Sequence, residues 1–235
     1  MADLSAFPIT RRWKPENSDI IQLYTLQTPN GQKVSVALEE MGLPYEVHRI
    51  SFDTNDQKSA EFLSLNPNGK IPAIIDPHGP EDKPIGLFES GAILIYLADK
   101  TGQLIPEDAA GRYETMQWVF FQMGGIGPMF GQFGHFFKFA ADKVANNPYP
   151  TERYRNEAMR LLGVLEGRLA TRQWMMGDLY TIADVAIFPW VRGLSVFYGG
   201  DEALELKSFP AVMDWVARAE SRPASIRGLD VPAQG

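Results

Sequence analysis

Two different hydrophobic patterns meet near Gly102 in this chain of 235 residues. Before Gly102, short apolar runs typical of buried strands alternate with segments of helical periodicity. After Gly102, helical patterns continue with little sign of strands. Apolar residues make up 45% of the chain, which is enough for a substantial core. The sequence therefore predicts an α+β domain followed by an all-α domain.

The predicted order in the first domain is βαβ, then a helix, then ββα. Its strands are expected at residues 20–25, 45–50, 71–75 and 85–88. A helix should begin at Thr28-Pro29, because threonine is a good N-cap and proline is favoured in the first turn. It should end before Gly42, and the last helix of the domain should cover residues 89–100. This order resembles a thioredoxin-like domain.

The sequence predicts four segments in total. Residues 1–19 form a polar, proline-marked N-terminal extension, residues 20–102 the thioredoxin-like domain, residues 103–110 a linker, and residues 111–235 the all-α domain. In the last segment, helices are predicted at residues 112–123, 152–169 and 210–218, with a break at residues 124–128, which read Gly-Gly-Ile-Gly-Pro. Thr181 and Asp184 fit a capping box, which begins another helix.

The composition argues against several kinds of partner and ligand. The net charge is −7 and the pI is about 5.0, which argues against nucleic acid and anionic membrane surfaces as partners. No apolar run approaches the ~18 residues of a membrane span, and the chain has no cysteine. Because no export signal is visible, the predicted compartment is the cytoplasm. His48, His78 and His135 show no metal-ligand spacing, so no metal is predicted.

Two segments of the first domain fit a ligand site built largely from backbone groups. Ile71-Pro72 precedes a strand in a tight turn, where a proline often follows a cis peptide bond. Glu89-Ser90 begins a helix whose first N–H groups favour a carboxylate. Each pair also fits a purely structural role, as an edge-strand proline and as an ordinary helix start.

Three longer segments, taken together and in order, resemble the cytosolic glutathione transferase family. They are residues 70–73 (Lys-Ile-Pro-Ala), residues 89–97, and residues 177–184 (Gly-Asp-Leu-Tyr-Thr-Ile-Ala-Asp). The resemblance covers roughly residues 20–223. Residues 28–31, the phenylalanine-rich stretch 129–139 and the N-terminal extension are similar to the bacterial Nu class, whose better-known activity is glutathione-dependent reduction of disulfides.

The resemblance implies that glutathione binds to the first domain. The backbone of Ile71, next to Pro72, would pair with its cysteinyl part like an added strand. Lys70 would attract the glycine carboxylate. Ser90 would hold the γ-glutamyl carboxylate, and Glu89 would hold the γ-glutamyl ammonium.

Three further residues match ligand contacts of the Nu class. Gln57 lies in the loop before the predicted short helix at residues 60–65, and Gln122 and Arg153 lie in the second domain. Arginine suits a carboxylate because its planar fork donates two parallel hydrogen bonds. The alternatives are a solvent-facing loop glutamine and an exposed helix charge.

The glutathione thiolate is expected beside Thr28 and Asn30, the residues that we predict to be catalytic. A helix N-terminus carries about half a positive charge and lowers the pKa of a nearby thiol. The Asn30 amide would donate to the sulfur. Thr28 is equally explained as a helix cap, and Tyr24 is the competing thiolate donor, since tyrosine has this role in other classes.

A second-substrate pocket is predicted around Phe133, His135 and Phe136, because clustered phenylalanines suit an apolar ligand. The alternative is that most of these rings pack in the core. His135 is a candidate acid–base group, since histidine titrates near neutrality.

The resulting hypothesis is an enzyme that uses glutathione thiolate to reduce a disulfide in a cleft between the domains. Two glutathiones would supply both thiols, since the protein has none. The alternatives are conjugation to an electrophilic small molecule, weak peroxidase activity, or, in another class, a non-enzymatic interaction domain. The resemblance also implies a homodimer, with residues 112–121 at its interface.

Overall fold

A computed structural model describes residues 2–233 of the chain, and these form two compact units. The first unit contains the residues up to Thr101 together with those from Pro223 onward. The second unit is Gly102–Arg222. The first unit contains a four-stranded sheet and the second is built from helices, which confirms the predicted fold class.

The sheet of the first unit has the strand order β2-β1-β3-β4. Its strands are β1 (Ile21–Thr25), β2 (Tyr45–Arg49), β3 (Ala73–Asp76) and β4 (Ile85–Phe88). Strands β1 and β2 are parallel, whereas β3 is antiparallel to both β1 and β4. Every residue of β1 and β3 is buried, as expected for central strands covered on both faces.

Three helices accompany these strands along the chain. Helix α1 (Pro29–Met41) lies between β1 and β2, α2 (Ala60–Leu65) lies between β2 and β3, and α3 (Ser90–Thr101) follows β4. Helix α1 begins as predicted, because the Thr28 hydroxyl accepts a hydrogen bond from the Gly31 N–H (3.2 Å). It ends at Gly42, whose φ of 65° lies in the left-handed region that glycine tolerates. The Ser59 hydroxyl caps α2 in the same way, by accepting from the Phe62 N–H (3.2 Å).

The C-terminal helix α9 (Pro223–Leu229) lies in the first unit and packs against α1. The sequence prediction differs here, since it assigned residues 111–235 to the second domain. Close approach depends on Gly228, where an added Cβ would lie 2.6 Å from the Val36 Cα. The Ser35 hydroxyl donates to the Gly228 carbonyl (2.6 Å), so a polar side chain of α1 satisfies a carbonyl at the end of α9.

The N-terminal residues, predicted to be an irregular extension, contribute to the core of the first unit. Leu4 and Ile9 are buried in one cluster with Phe62 and other apolar side chains. A short 3-10 turn at Pro8–Arg11 places Ile9 in this cluster. Polar composition concealed this role, although Phe7 and Trp13 also pack against the cluster.

The second unit contains helices α4 (Ala109–Phe121), α5 (Gly127–Gly134), α6 (Tyr149–Leu169), α7 (Ile182–Val196) and α8 (Pro210–Glu220). The predicted break at residues 124–128 is wrong, because a π-helical turn at Gln122–Ile126 keeps the chain helical. Pro128 lies just after this turn, at the second position of α5. Within residues 2–233, no helix has both the length and the apolar character needed to cross a membrane.

The capping box at Thr181 is confirmed, and Asp184 has a wider structural role. The Asp184 carboxylate is fully buried and accepts from the backbone N–H groups of Thr181 (2.9 Å) and Met175 (2.8 Å). It also accepts from the Trp215 indole N–H (2.9 Å). This carboxylate therefore links the start of α7 to the preceding loop and to α8.

We expect Asp184→Ala to lower the free energy of unfolding by about 3 kcal/mol or more, because three buried donors lose their acceptor. Urea unfolding followed by circular dichroism measures this change. Asp178→Ala is the matched control, since Asp178 is exposed in the same loop and its loss should change stability by less than about 0.5 kcal/mol. Equal stability of the two variants would contradict this role of Asp184.

Candidate functional site

The register of the sheet brings three separate chain segments to one edge. Tyr24 pairs with Ala73, and Ala73 pairs with Phe88. Strand β1 ends one residue after Tyr24, β3 begins at Ala73, and β4 ends at Phe88. The chain therefore enters or leaves the sheet at the same edge in all three places. The segments at this edge include Thr28, Asn30, Ile71, Pro72, Glu89 and Ser90, all of which are predicted site residues.

Ile71 presents backbone rather than side chain at this edge. Its side chain is buried in the core cluster, and the Ile71–Pro72 peptide bond is cis, as the sequence suggested. The Ile71 backbone lies just outside β3 and takes part in none of the loop and turn backbone hydrogen bonds formed within residues 2–233. An extended peptide that pairs with a protein backbone needs an N–H and a carbonyl that are not used in such bonds.

The N-terminus of α1 follows the end of β1 at this edge of the sheet. Thr28 caps the helix, and Asn30 is half-buried in its first turn. The first N–H groups of a helix carry partial positive charge, and they stabilise an anion such as a thiolate. The arrangement can therefore lower the pKa of a ligand thiol without any protein cysteine.

The N-terminus of α3 forms the other side of the edge. Glu89 is exposed and has a φ of 69°, a left-handed conformation that is uncommon outside glycine and clusters at functional sites. Its carbonyl accepts the first helical hydrogen bond, from the Ile93 N–H (2.9 Å). Ser90 follows and is 3% exposed. A carboxylate would find N–H groups, a hydroxyl and a favourable helix dipole here.

Lys33 is a residue of this region that sequence reasoning missed. It lies on α1, is fully buried, and donates from Nζ to the Ser90 Oγ (3.2 Å). Burial lowers the pKa of Lys33 to about 7, while the nearby Glu89 charge acts in the opposite direction. The signal in the sequence is weak, since it is one lysine directly before the apolar residues that begin at Val34.

Gln57 and Lys70 lie close to each other in the first unit. An added Cβ on Gly69, the residue before Lys70, would lie 2.9 Å from the Gln57 carbonyl oxygen. Lys70 is exposed. The Gln57 side-chain oxygen is buried, and it has no hydrogen-bond partner among the described residues. It is therefore an acceptor suited to a ligand donor.

The loop that carries Gln57 is supported by the N-terminal extension. The Arg12 guanidinium pairs with the Asp56 carboxylate, which is largely buried. The second oxygen of Asp56 accepts from the Ser51 N–H (2.9 Å). Arg12 and Ser51 therefore hold Asp56, and with it the adjacent Gln57, in place.

Tyr24 lies in the core. Its side chain is fully buried and stacks on His48, with ring centroids 4.7 Å apart. Trp13 of the N-terminal extension packs edge-on against its other side. Burial raises the pKa of Tyr24 far above its ordinary value. A tyrosine in this position is poorly suited to hold a ligand thiolate.

The remaining predicted residues lie in the second unit. Gln122 is buried in the π-helical turn after α4, next to Gly127. Arg153 is exposed on α6 and lines an open cavity of about 650 Å³. Other side chains around this cavity include Met129, Tyr149 and Tyr154. An arginine beside aromatic rings in a cavity suits a ligand that has both a carboxylate and an apolar part.

The phenylalanine-rich stretch has both packing and surface positions. Phe133 is fully buried and stacks on Phe137 at 4.9 Å between ring centroids, which is a core position. Phe136 is half-buried and stacks on Tyr154 of α6 at 5.6 Å. His135 is exposed. A substrate-binding role for Phe133, His135 and Phe136 stays a prediction. In the described part of the chain, no three acidic or histidine side chains are grouped so that they could hold a metal ion.

Comparison with known families gives two matches along the chain. The model of the glutathione S-transferase N-terminal domain matches residues 20–99. The model of the glutathione S-transferase C-terminal domain matches residues 128–223. Together the two matches include the sheet, the candidate edge and most of the helical unit.

Individual relatives are similar to this chain over nearly its whole length. The disulfide-bond oxidoreductase YfcG of Escherichia coli is 44% identical over 212 residues, which are 89% of this chain and 94% of the relative. A crystal structure of a glutathione transferase from Burkholderia graminis, with two glutathione molecules bound per subunit, has a TM-score of 0.98 and 62% identity, and covers 100% of this chain and 98% of its own. A glutathione transferase from Pseudomonas putida, with one glutathione disulfide bound per subunit, has a TM-score of 0.96 and 54% identity over 98% and 100% of the two chains. The chain therefore belongs to the glutathione transferase family.

Proposed function

We propose that this protein binds glutathione at the sheet edge of its first unit and uses the glutathione thiolate to reduce disulfides. One observation carries the proposal. The register through Tyr24, Ala73 and Phe88 brings two helix N-termini and the backbone of Ile71 to one edge. These are the groups that an extended tripeptide with two carboxylates and a thiol requires.

The tripeptide would bind in one direction along this edge. Its cysteinyl part pairs with the backbone of Ile71. The γ-glutamyl carboxylate accepts from Ser90 at the start of α3, and its ammonium faces Glu89. At the other end, Lys70 attracts the glycine carboxylate, and the Gln57 side-chain oxygen accepts a ligand N–H. The thiol then lies toward the N-terminus of α1, near Asn30.

The chemistry requires two glutathiones, because the chain contains no cysteine. The first thiolate attacks one sulfur of the disulfide substrate, forms a mixed disulfide, and releases one substrate thiolate. A second glutathione thiolate attacks the mixed disulfide, which yields glutathione disulfide and the other substrate thiolate. Two glutathione thiols lose their protons, and the two product thiolates gain protons, so the substrate disulfide is reduced as two thiols are oxidised. The protein supplies placement and thiolate stabilisation.

Relatives support both parts of this proposal. One relative is named a disulfide-bond oxidoreductase. The solved structure from Burkholderia graminis holds two glutathiones per subunit, and the one from Pseudomonas putida holds one glutathione disulfide per subunit. A site that holds two glutathiones in a relative suits the two-step reaction. Gln122, Arg153, Phe133, His135 and Phe136 stay the predicted contacts of the second unit. The cytoplasm stays the predicted compartment.

We expect Ser90→Ala to weaken glutathione binding by about 1–3 kcal/mol, because a carboxylate loses a hydroxyl donor in a buried place. Titration calorimetry measures the affinity. Ser64→Ala is the matched control, since Ser64 is exposed on α2 and its hydroxyl bonds only within its own helix turn. Unchanged affinity in a folded Ser90→Ala variant would be incompatible with this assignment.

Asn30→Ala should lower disulfide turnover by about tenfold and raise the pKa of bound glutathione by about one unit, because a donor to the thiolate is lost. The thiolate absorbance as a function of pH reports the pKa. Tyr24→Phe should change disulfide turnover and the pKa of bound glutathione little. The reason is that the Tyr24 hydroxyl is buried and has no hydrogen-bond partner within residues 2–233. If Tyr24→Phe abolished activity and Asn30→Ala did not, the thiolate assignment would be wrong.

The reaction type is tested with the wild-type protein. We expect a small-molecule disulfide to be reduced faster than an aryl halide is conjugated. Much faster conjugation would contradict disulfide reduction as the main activity, while the glutathione site would stand.

We also propose that the protein is a homodimer that pairs through α4. Tyr113 and Phe120 on this helix are 71% and 66% exposed, and residues seven apart share one helix face. Light scattering should give about twice the chain mass of 26.3 kDa. Phe120→Asp should shift the mass toward the monomer, while Phe139→Asp, at a residue 68% exposed elsewhere in the unit, should not. A monomeric wild type at micromolar concentration would disprove the dimer.

A further inference from the structure

One residue of the N-terminal extension reaches the loop that carries Gln57. The Arg12 guanidinium donates to the Asp56 carboxylate, whose side chain is 11% exposed. The guanidinium carbon of Arg12 also lies 4.7 Å from the centroid of the Trp13 ring, which helps to hold the charged end of the arginine. Trp13 in turn packs edge-on against the buried Tyr24. The arginine is therefore fixed on its own side as well as by the loop.

Asp56 closes the loop of residues 51–59 with both its backbone and its side chain. Its N–H donates to the Ser51 carbonyl (3.0 Å), and its carboxylate accepts from the Ser51 N–H (2.9 Å). Its carbonyl accepts from the Ser59 hydroxyl (2.8 Å). Because Gln57 directly follows Asp56 in the chain, these contacts set the position from which the Gln57 side chain extends.

The same loop lies against the segment that leads into Ile71. The Lys58 ammonium donates to the Gly69 carbonyl (3.3 Å), and a Cβ added to Gly69 would lie 2.9 Å from the Gln57 carbonyl oxygen. Gln57 therefore lies beside the chain just before the backbone that would pair with the ligand. Its buried side-chain oxygen has no hydrogen-bond partner within residues 2–233, so it is an acceptor available to a peptide at this place.

Glutathione has one peptide donor that the other proposed contacts leave over. Its cysteinyl N–H and carbonyl would pair with the backbone of Ile71, and its glycine carboxylate would face Lys70. The glycine N–H lies between these two groups along the ligand, and it needs an acceptor once water is displaced. The side-chain oxygen of Gln57 is suited to this donor.

We propose that Arg12 is a positioning residue for the glycine end of glutathione. Through Asp56 it fixes the loop of residues 51–59, so that the Gln57 side-chain oxygen accepts the glycine N–H. The inference rests on the proposed glutathione site and extends it to the N-terminal extension. Arg12 acts through the loop, without touching the ligand.

Positioning by Arg12 can be separated from simple attraction between charges. A positive charge attracts a ligand of net negative charge whatever the loop does. If only charge mattered, neutralising Asp56 would strengthen binding of such a ligand. If the loop must be held, Asp56→Asn should weaken binding, because an amide keeps the shape of the side chain but loses the ion pair with the guanidinium. The two explanations therefore predict opposite signs for this variant.

The experiment compares, by titration calorimetry, two ligands that differ in one donor. S-methylglutathione keeps every peptide group and has no thiol to titrate. Its depsipeptide analogue, in which glycolate replaces glycine, keeps both carboxylates and lacks the glycine N–H. We expect the wild type to bind S-methylglutathione about fivefold more tightly than the analogue, the effect of one hydrogen bond. Gln57→Ala should reduce this preference to less than about twofold.

Arg12→Met and Asp56→Asn should each weaken binding of S-methylglutathione by about threefold to fivefold, and change binding of the analogue by less than about twofold. Arg12→Lys keeps the charge and should give an intermediate affinity. In a Gln57→Ala background, Arg12→Met should have no further effect, because the two residues act through one contact. Arg11→Met is the matched control, since Arg11 is exposed next to Arg12 and loss of its charge should leave both affinities unchanged.

Several results would overturn the proposal. Equal weakening of both ligands by Arg12→Met would indicate a general structural role, and no weakening of either would leave the arginine without a role in binding. Tighter binding of S-methylglutathione by Asp56→Asn would indicate charge attraction alone. If Arg12→Met does not fold, Arg12→Lys and Asp56→Asn provide the same comparison. A wild type that binds both ligands equally contradicts only this inference, whereas a wild type that binds neither shows that the proposed glutathione site is itself wrong.

Discussion

Strand β3 pairs with β1 on one side and β4 on the other, and the candidate site depends on this double pairing. Both pairings are antiparallel, and the register aligns Tyr24, Ala73 and Phe88 across three strands. Because strand ends coincide, the N-termini of α1 and α3 and the backbone before β3 meet at one edge. A slip of one residue would move every side chain of β3 to the opposite face and separate these groups. The register of the sheet, rather than any single side chain, therefore brings the segments of the candidate site together.

Helix α1 is enclosed between α3 and α9, and its polar residues are used in two ways. Gln32 and Ser35 donate to the carbonyls of Leu229 and Gly228 at the end of α9. Lys33 is directed to Ser90 on the other side. The first two contacts stabilise the unit, whereas a buried ammonium with a lowered pKa costs stability.

Local signals in the sequence predicted much of the fold. The strand and helix order followed from hydrophobic periodicity, and the helix starts at Thr28 and Thr181 followed from capping residues. These features depend on neighbours within a few positions, which the sequence displays directly. The glycine-rich segment at residues 124–128 misled the same reasoning, because a π-helical turn can continue a helix where glycine and proline usually end one.

The sequence by itself determined the order of elements, the two-part division near Gly102, and the segments that contain the candidate site. Only the tertiary structure decided that α9 returns to the first unit, that Tyr24 lies in the core, and that Lys33 is buried behind Ser90. The physical reason is separation along the chain. Lys33 and Ser90 are 57 residues apart, and the α1–α9 contact at Ser35 spans 193 residues. Periodicity and capping report on neighbours only, whereas burial and a shifted pKa arise when distant segments pack together.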